Sequence, residues 1–273
     1  MRWSKIKNII ILLLVIVNVC LLAMVGLRAW QTRKSDRETR EWMVAVLAKN
    51  GIEFLPDEVP GVMPLTGARV TLSGLEAREA AALVGEITDT NTAGSRTTYE
   101  GSLGTAVVSD SGEIEIRMVP GALALKGDDP GQRGLELLEQ LGLQMEETGR
   151  ETGSDTVKVT YTQFWDGAPV PDVTLTLIWR SGSLESLKGR ALRGTSEAVM
   201  GNWMDASTAL ARFLENINQQ GYVCSQITEL YAGYTVSGTT EVTVSPTWFI
   251  ETDTQPQRFA VDAASGTVTA DGS

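Results

Sequence analysis

The sequence predicts an α+β fold: a single N-terminal transmembrane helix followed by repeated units, each a helix with a small antiparallel sheet. Three observations support this. An uncharged apolar run lies near the N-terminus. Apolar residues at helical spacing then recur along the chain, and segments with alternating apolar and polar residues follow them. We expect each helix to pack across its sheet. The predicted divisions are a cytoplasmic head (1–8), the transmembrane helix (9–27), a juxtamembrane helix (28–51), a first α+β unit (52–126), and second and third units (127–273).

The apolar run extends from Ile9 to Leu27 and contains 19 residues without a charge. A helix of this length spans about 28 Å, close to the thickness of a hydrocarbon core. The run is longer than the apolar part of a secretory signal, and no small-residue cleavage site follows it. It therefore predicts an uncleaved signal anchor. Basic residues flank both ends, so the positive-inside rule does not settle the orientation.

Asn18 is the strongly polar side chain in this run. An amide in hydrocarbon needs a hydrogen-bonding partner, and neighbouring helices commonly provide one. One interpretation is that Asn18 bonds its own helix backbone and is simply tolerated. The other is that Asn18 makes a helix–helix contact with a membrane partner, and we take it as the candidate partner-binding residue of the membrane helix.

Charge is distributed unevenly along the chain. Residues 1–40 contain eight basic and two acidic residues (+6), which leaves 15 basic and 32 acidic residues in the remainder (−17). A basic arm on an acidic globular part is consistent with a chain held at a membrane, and it argues against nucleic-acid binding.

Start and stop signals mark four helices. The juxtamembrane helix should stop at Asn50-Gly51. A capping-box pattern at Ser73 and Glu76 predicts the start of the next helix, and Asp129-Pro130 predicts the start of another. The last is expected over about 205–219. Predicted strands lie around 98–108, 113–119, 157–187, 222–231, 239–250, 257–262 and 266–270.

The most patterned stretch is "YTQFWDGAPVPDVTLTLIWRSGSLESLKG", residues 161–189. It predicts a three-stranded meander with one apolar face and one threonine face, with Asp166 beside Gly167 in a turn and Asp172 starting a strand. Core packing is one interpretation of Trp165 at that turn. The alternative is a partner-facing aromatic, because exposed tryptophan is enriched at interfaces; Trp165 is therefore the candidate partner-binding residue of the outer surface.

Residue types exclude several kinds of chemistry. Histidine is absent, and the two cysteines, Cys20 and Cys224, are too few for a thiolate metal cluster. Cys224, expected in a strand, is interpreted as a core residue rather than a reactive thiol. The paired acids at 113/115, 128/129 and 146/147 are interpreted as caps and solvated faces rather than a glycosidase pair. We expect no enzyme activity, no cofactor and no metal.

The segment "DTNTAGSRTTYE", residues 89–100, partly resembles a calcium-binding loop. It has an acid at its first position, glycine at its sixth and glutamate at its twelfth. However, Ala93 occupies a position that normally provides a ligand. We therefore interpret the segment as a polar loop between a helix and a strand.

Several segments together resemble the YycI family and, more distantly, YycH. They are the head "MRWSKIKNIIILLLVIVNVCLL", the connector "LAKNGIEFLPDEVP", the meander described above, and the end "SPTWFIETDTQPQRFAVDAASGTVTA". That ending is also similar to PepSY-type domains. The likeness covers most of the chain, and it is poor over 85–130.

The resemblance implies a single-pass protein of Gram-positive-type bacteria, with a cytoplasmic N-terminus and an extracellular domain. It implies a non-enzymatic regulator of the WalK (YycG) sensor histidine kinase, which controls cell-wall metabolism, acting with a YycH-like protein through transmembrane contacts. These contacts correspond to 9–27 here, with Asn18 as the polar candidate. The alternative function is a PepSY-like extracellular module that binds or inhibits a peptidase or senses a wall ligand.

Overall fold

The computed structural model describes residues 37–55, 59–63, 65–125, 127 and 129–271. Within them the α+β prediction is confirmed, because few helices accompany sheets whose strands pair antiparallel. The predicted membrane helix (9–27) and Asn18 lie outside the described residues. Among the described residues, no helix combines the length and apolarity needed to cross a bilayer.

The elements follow one another in a simple order. The helices are α1 (37–49), α2 (Ala77–Val84), α3 (Pro130–Gln140) and α4 (Ala206–Gln220). The strands are β1 (Gly67–Leu72), β2 (Ile87–Ala93), β3 (Arg96–Gly101), β4 (Gly104–Ser109), β5 (Glu113–Met118), β6 (Met145–Thr152), β7 (Thr156–Trp165), β8 (Ala168–Arg180), β9 (Ser183–Arg190), β10 (Gly194–Val199), β11 (Ile227–Gly238), β12 (Glu241–Thr252), β13 (Arg258–Asp262) and β14 (Val268–Asp271).

The strands form two sheets. The eight-stranded sheet has the order β2-β3-β4-β5-β9-β8-β7-β6. The six-stranded sheet has the order β10-β1-β12-β13-β14. In it β1 pairs with the first part of β12 and β13 with the last part, and β11 pairs with β12 along the side away from both. Each sheet has its own hydrophobic core, centred on Trp179 in the first and on Trp248 in the second.

One unit occurs three times: a helix followed by four strands that pair in chain order. The units are α2 with β2–β5, α3 with β6–β9, and α4 with β11–β14. The first two units join through their last strands, β5 and β9, with Glu115 opposite Lys188. The third unit is enlarged by β1 and β10 instead.

A buried aromatic side chain on the second strand of each unit holds the start of that unit's helix. The Tyr99 hydroxyl donates to the Leu75 carbonyl (3.1 Å), the Tyr161 hydroxyl to the Gly131 carbonyl (3.0 Å), and the Trp248 indole N–H to the Met204 carbonyl (3.0 Å). These bonds satisfy the polar atom of each buried ring. In the second unit a Cβ at residue 134 would overlap the Tyr161 hydroxyl, which explains a glycine inside α3.

Helices α2, α3 and α4 each begin at an acidic N-cap, which suits the exposed N–H groups of a first turn. Asp129 accepts from the Gln132 N–H (3.0 Å), and Asp205 accepts from the Thr208 N–H (2.7 Å). The Ser73 prediction was wrong: α2 starts after Glu76, which forms a capping box with Glu79. Ser73 instead follows β1 directly, and its N–H donates to the Arg193 carbonyl (2.8 Å).

The first unit has more strands than the sequence predicts. Residues 98–108 are divided between β3 and β4 by a tight turn, and β2 precedes them. The segment 89–100 forms the β2–β3 hairpin, in which Asp89 lies opposite Glu100. It was interpreted as a polar loop, and the difference arises because its alternating threonines suit an exposed edge hairpin.

Helix α1 is built into the core of the six-stranded sheet. Met43 (3% exposed) and Leu47 (0%) lie in that core, and so do Ile52 and Phe54 beyond the helix. The helix ends at Asn50-Gly51, where Gly51 has φ +79°. Its docking face and the segment after it are therefore parts of the third unit.

Candidate functional site

The hairpin formed by β7 and β8 projects from the eight-stranded sheet. Its two turn residues, Asp166 (φ 48°) and Gly167 (φ 77°), both have positive φ, as a type I′ turn requires. The predicted strand start at Asp172 was wrong, because β8 begins at Ala168. The pairing moves from Thr162–Thr174 directly to Gln163–Val170, so Asp172 lies in a bulge that bends the hairpin.

This bend carries the hairpin from one core into the other. Leu175 and Leu177 belong to the core of the eight-stranded sheet, whereas Ala168 and Val170 belong to that of the six-stranded sheet. The first half of β8 lies against β11. The hairpin is therefore the main structural link between the two sheets.

A cleft of about 670 Å³ opens where the hairpin meets the six-stranded sheet. Its walls come from the end of β1, the α3–β6 loop, the hairpin tip and the start of β10. Trp165 is half-buried: it packs on the core of the six-stranded sheet and also lines this cleft. Core packing of Trp165 is therefore observed, and contact of its cleft side with a partner stays a prediction.

Gln163 holds the floor of the cleft. Its side chain is 4% exposed and makes two hydrogen bonds to the backbone of Leu192. The amide nitrogen donates to the Leu192 carbonyl (2.9 Å), and the Leu192 N–H donates to the side-chain oxygen (2.7 Å). This pair of bonds ties the hairpin to the segment that leads into β10, and it leaves no buried polar atom of the amide without a partner.

A partly buried ion pair lies at the wall of the cleft, to which it contributes Arg193. The Arg193 guanidinium binds both carboxylate oxygens of Glu79, and the side chains are 18% and 30% exposed. The hydrogen bond from Arg193 lowers the pKa of Glu79, partly offset by burial. Because Glu79 is on α2, this pair connects the first unit to the cleft.

Sequence patterns located part of this site. Trp165 was singled out because it is an aromatic residue at a turn, and it lines the cleft. Asn18 lies outside the described residues. Gln163, Phe164 and Arg193 were missed, and the polar Gln163 at an alternating apolar position of β7 was the signal that could have indicated a buried link.

The opposite face of the eight-stranded sheet is polar. Cross-strand threonines line up there, with Thr160 opposite Thr176 and Thr162 opposite Thr174. The Thr148 and Thr162 hydroxyls are 2.9 Å apart. A second cavity, of about 410 Å³, lies on this face among alternating charges that include Arg96, Glu115, Lys188 and Arg190.

In the described part of the chain, four acids of the predicted pairs bind arginine side chains. Asp129 and Glu147 both bind the guanidinium of Arg150, at 2.7 Å in each case, while Glu113 pairs with Arg96 and Glu115 with Arg117. Within the described ranges, no three His, Cys, Asp or Glu side chains are close enough to hold a metal ion.

Cys224 is half-buried and lies in the loop before β11 rather than in a strand. Burial raises the pKa of its thiol to about 11. The thiol is therefore protonated at neutral pH and is a poor nucleophile.

No family model matches the sequence, and the comparison with curated proteins finds no match. Two solved structures are similar in outline. One is an uncharacterized protein from Eubacterium rectale (9% identity, TM-score 0.48, covering 75% of this chain and 86% of that one). The other is the C-terminal domain of YpeB from Bacillus megaterium (8% identity, TM-score 0.38, covering 70% and 94%). At TM-scores this low, these likenesses do not place the chain in a family.

Proposed function

We propose that this chain is a non-enzymatic regulator of a sensor histidine kinase that controls cell-wall homeostasis. Residues 9–27 anchor it in the cell membrane, with the N-terminus in the cytoplasm and the large domain outside. Its partners are a WalK-like kinase and a YycH-like protein, as the resemblance of the head, connector, meander and end implies. The basic N-terminal arm and the acidic remainder are consistent with a chain held at a membrane.

The observation that carries the proposal is the docking of α1. This helix follows the predicted anchor, and Met43 and Leu47 fix it in the core of the six-stranded sheet. A reorientation of the outer domain therefore moves the start of the described chain with it. Such a connection suits a protein that relates events outside the membrane to contacts within it.

Regulation would follow from differential affinity for two signalling states of the kinase. A regulator that binds one state better shifts the kinase toward that state, whatever the order of events. A preference of about 3 kcal/mol shifts such an equilibrium more than 100-fold. Contacts by the membrane helix and by the outer domain can each contribute to that preference.

The test uses the full chain with the WalK-like kinase of its source organism in lipid vesicles, with kinase autophosphorylation as the measurement. Residues 9–27 are replaced by an unrelated apolar helix of equal length. We expect regulation to be lost, because the helix contacts are lost. Normal regulation by the chimera would show that the membrane helix is not the contact.

Asn18→Leu tests the polar contact by itself, and Val17→Leu is the matched control. We expect the first variant to co-purify with the kinase less than the wild-type chain does, because the amide hydrogen bond to the partner helix is lost. The control should co-purify normally. Equal recovery of both variants would assign Asn18 to its own helix.

The cleft favours a second candidate function, a PepSY-like module that binds a peptidase or a wall ligand. Phe164 and Trp165 give the cleft an aromatic wall, and its volume of about 670 Å³ is that of a small-ligand site. Thr195→Trp would fill the cleft, and Thr90→Trp on the exposed β2 edge is the control. Inhibition of a secreted peptidase by the full chain, lost with the first variant alone, would support this function.

A further inference from the structure

The free edge of β10 is the feature that the proposed function leaves unused. All six residues of β10 are exposed, and β10 is the end strand of its sheet. It pairs with β1 in an uninterrupted antiparallel register from Gly67–Val199 to Leu72–Gly194. Among the described residues no strand lies on its other side.

The direction of the backbone groups on β10 follows from β1. The Leu72 N–H donates to the Thr240 carbonyl (2.9 Å) on the β12 side, whereas the Ser73 N–H donates to the Arg193 carbonyl (2.8 Å) on the β10 side. Backbone groups of a strand point to alternate sides, so residues 67, 69 and 71 of β1 bond β10. Their partners are 195, 197 and 199. The N–H and C=O groups of Gly194, Ser196 and Ala198 therefore point to the free edge.

The other end strands carry features that hinder pairing with a further strand. Bulges interrupt β2, β6 and β11, and β11 also lies against β8. β14 has four residues, and β6 carries four charged residues. Short length, bulges and charge are the usual protections of sheet edges. β10 pairs with β1 without a register shift, has six residues and carries one charge, at Glu197, so its edge is open to pairing.

Apolar side chains flank this edge at both ends. At its start, Gly194 and Thr195 line the cleft together with Phe164 and Trp165. At its end, Val199 is 36% exposed and Met200 is 87% exposed. At about 3.3 Å per residue, the edge between them is about 20 Å long. A segment of about eight residues would reach from one apolar site to the other.

Charge indicates the kind of segment. Glu197 on the strand and Asp166 at the cleft make no ion pair among the described residues, although Arg69 is the cross-strand neighbour of Glu197. Arg193 in the cleft wall is neutralised by Glu79. The chain beyond residue 40 has a net charge of −17. Acids of this kind favour basic residues in an occupant.

We propose that the β10 edge and the cleft at its start bind an extended, basic segment of a partner protein as an added β-strand. Backbone hydrogen bonds would run to Gly194, Ser196 and Ala198. One apolar side chain of the segment would enter the cleft beside Trp165, and another would cover Met200. This mode of recognition takes affinity from the main chain and specificity from pockets for side chains. It does not depend on which partner the membrane helix contacts.

The test begins with a selection of random octapeptides on the full chain in detergent, and the affinity of each enriched peptide is then measured for the Ala198→Pro variant. Proline removes the outward N–H of residue 198 and is tolerated on an open edge, so pairing with β1 is kept. Ala198→Val retains the N–H and is the matched control. We expect basic peptides with apolar ends, bound at least ~10-fold more weakly by the proline variant and normally by the control.

Hydrogen exchange provides an independent readout on the wild-type chain. Bound peptide should slow exchange of the amides of residues 194, 196 and 198. N-methylation of alternate peptide residues should abolish binding, which tests the bonds without changing the protein if the proline variant does not fold. Failure to enrich any peptide, equal binding by the proline variant, or unchanged exchange at these amides would overturn the proposal. Each of these results leaves the kinase assay unaffected.

Discussion

The two sheets are built from the same unit, but they differ in what is attached to them. In the eight-stranded sheet, two units share an edge and their helices cover one continuous core. In the six-stranded sheet, a single unit also holds α1, β1, β10 and the tip of the β7–β8 hairpin. Elements from distant parts of the chain meet in the third unit. The six-stranded sheet is therefore where α1, the cleft and the open edge of β10 come together.

The largest expected effect tests whether the two cores unfold together. Leu47 on α1 and Leu138 on α3 are both 0% exposed, one in each core. Truncation of either to alanine should cost about 2–5 kcal/mol, from lost burial and the cavity left behind. We expect both variants to shift one common unfolding transition in urea, because the hairpin crosses both cores.

Tryptophan fluorescence and far-UV circular dichroism would follow that transition. Lys49→Ala, on the exposed side of α1, is the control and should change stability by less than about 0.5 kcal/mol. Two transitions, each shifted by one leucine variant alone, would show that the sheets are independent domains.

The next largest loss of stability is expected when the hydrogen bonds between the β7–β8 hairpin and Leu192 are removed. Gln163→Leu removes both hydrogen bonds to Leu192 and leaves that buried N–H and carbonyl without partners. The expected cost is about 1–3 kcal/mol, with faster hydrogen exchange at the Leu192 amide. Gln144→Leu, at an exposed residue of the same cleft, should have little effect. If the two variants are equally stable, the hairpin is held by apolar packing and not by the amide.

Local patterns were enough to predict the class of the fold. Threonine alternation and the Asp166-Gly167 turn predicted the meander, and Asp129-Pro130 predicted the start of α3, because these are properties of a few neighbouring residues. The hydrogen bonds between the Gln163 side chain and the Leu192 backbone could not be predicted in this way. They depend on which backbone meets the amide, and Leu192 is 29 residues away in the chain.

The same limit applies to the site. Trp165 was a candidate because an aromatic residue at a turn is visible in the sequence. The cleft beside it needs β1, β10 and the α3–β6 loop to come together, and no spacing in the sequence encodes that meeting. The free edge of β10 also follows from sheet order, which long-range pairing decides.

A smaller difference is expected between the two buried tryptophans, in the free energy of unfolding that each loses when it is replaced by phenylalanine. The Trp248 indole N–H donates to the Met204 carbonyl (3.0 Å), whereas that of Trp179 has no partner among the described residues. Replacement by phenylalanine removes similar volume at both sites, so the lost hydrogen bond makes Trp248→Phe about 1 kcal/mol more costly than Trp179→Phe. Urea denaturation of the two variants measures this difference. Equal costs would mean that the bond at the start of α4 contributes nothing net.

The smallest expected effect is a pH dependence in the second unit. Hydrogen bonds from Arg150, and then from the Gln132 backbone, lower the pKa of the exposed Asp129 to about 2, from an ordinary value near 3.8. A carboxyl whose pKa is lower in the folded state stabilises the fold above its unfolded pKa. That contribution is lost as the pH falls through the folded pKa, so the affected window extends from about pH 4 down to about pH 2.

Arg150→Gln should narrow this window, because the pKa of Asp129 then rises toward its ordinary value while the backbone bond from Gln132 keeps part of the shift. Carboxyl-carbon NMR titration would follow Asp129 directly, and melting temperatures between about pH 2 and 5 would follow stability. Arg133→Gln is the matched control, since the Arg133 side chain pairs with Glu136 on α3, while its backbone N–H, which bonds the Asp129 carbonyl, is kept in the variant. If Asp129 still titrates near 2 in the Arg150 variant, the helix N-terminus and not the guanidinium holds the charge.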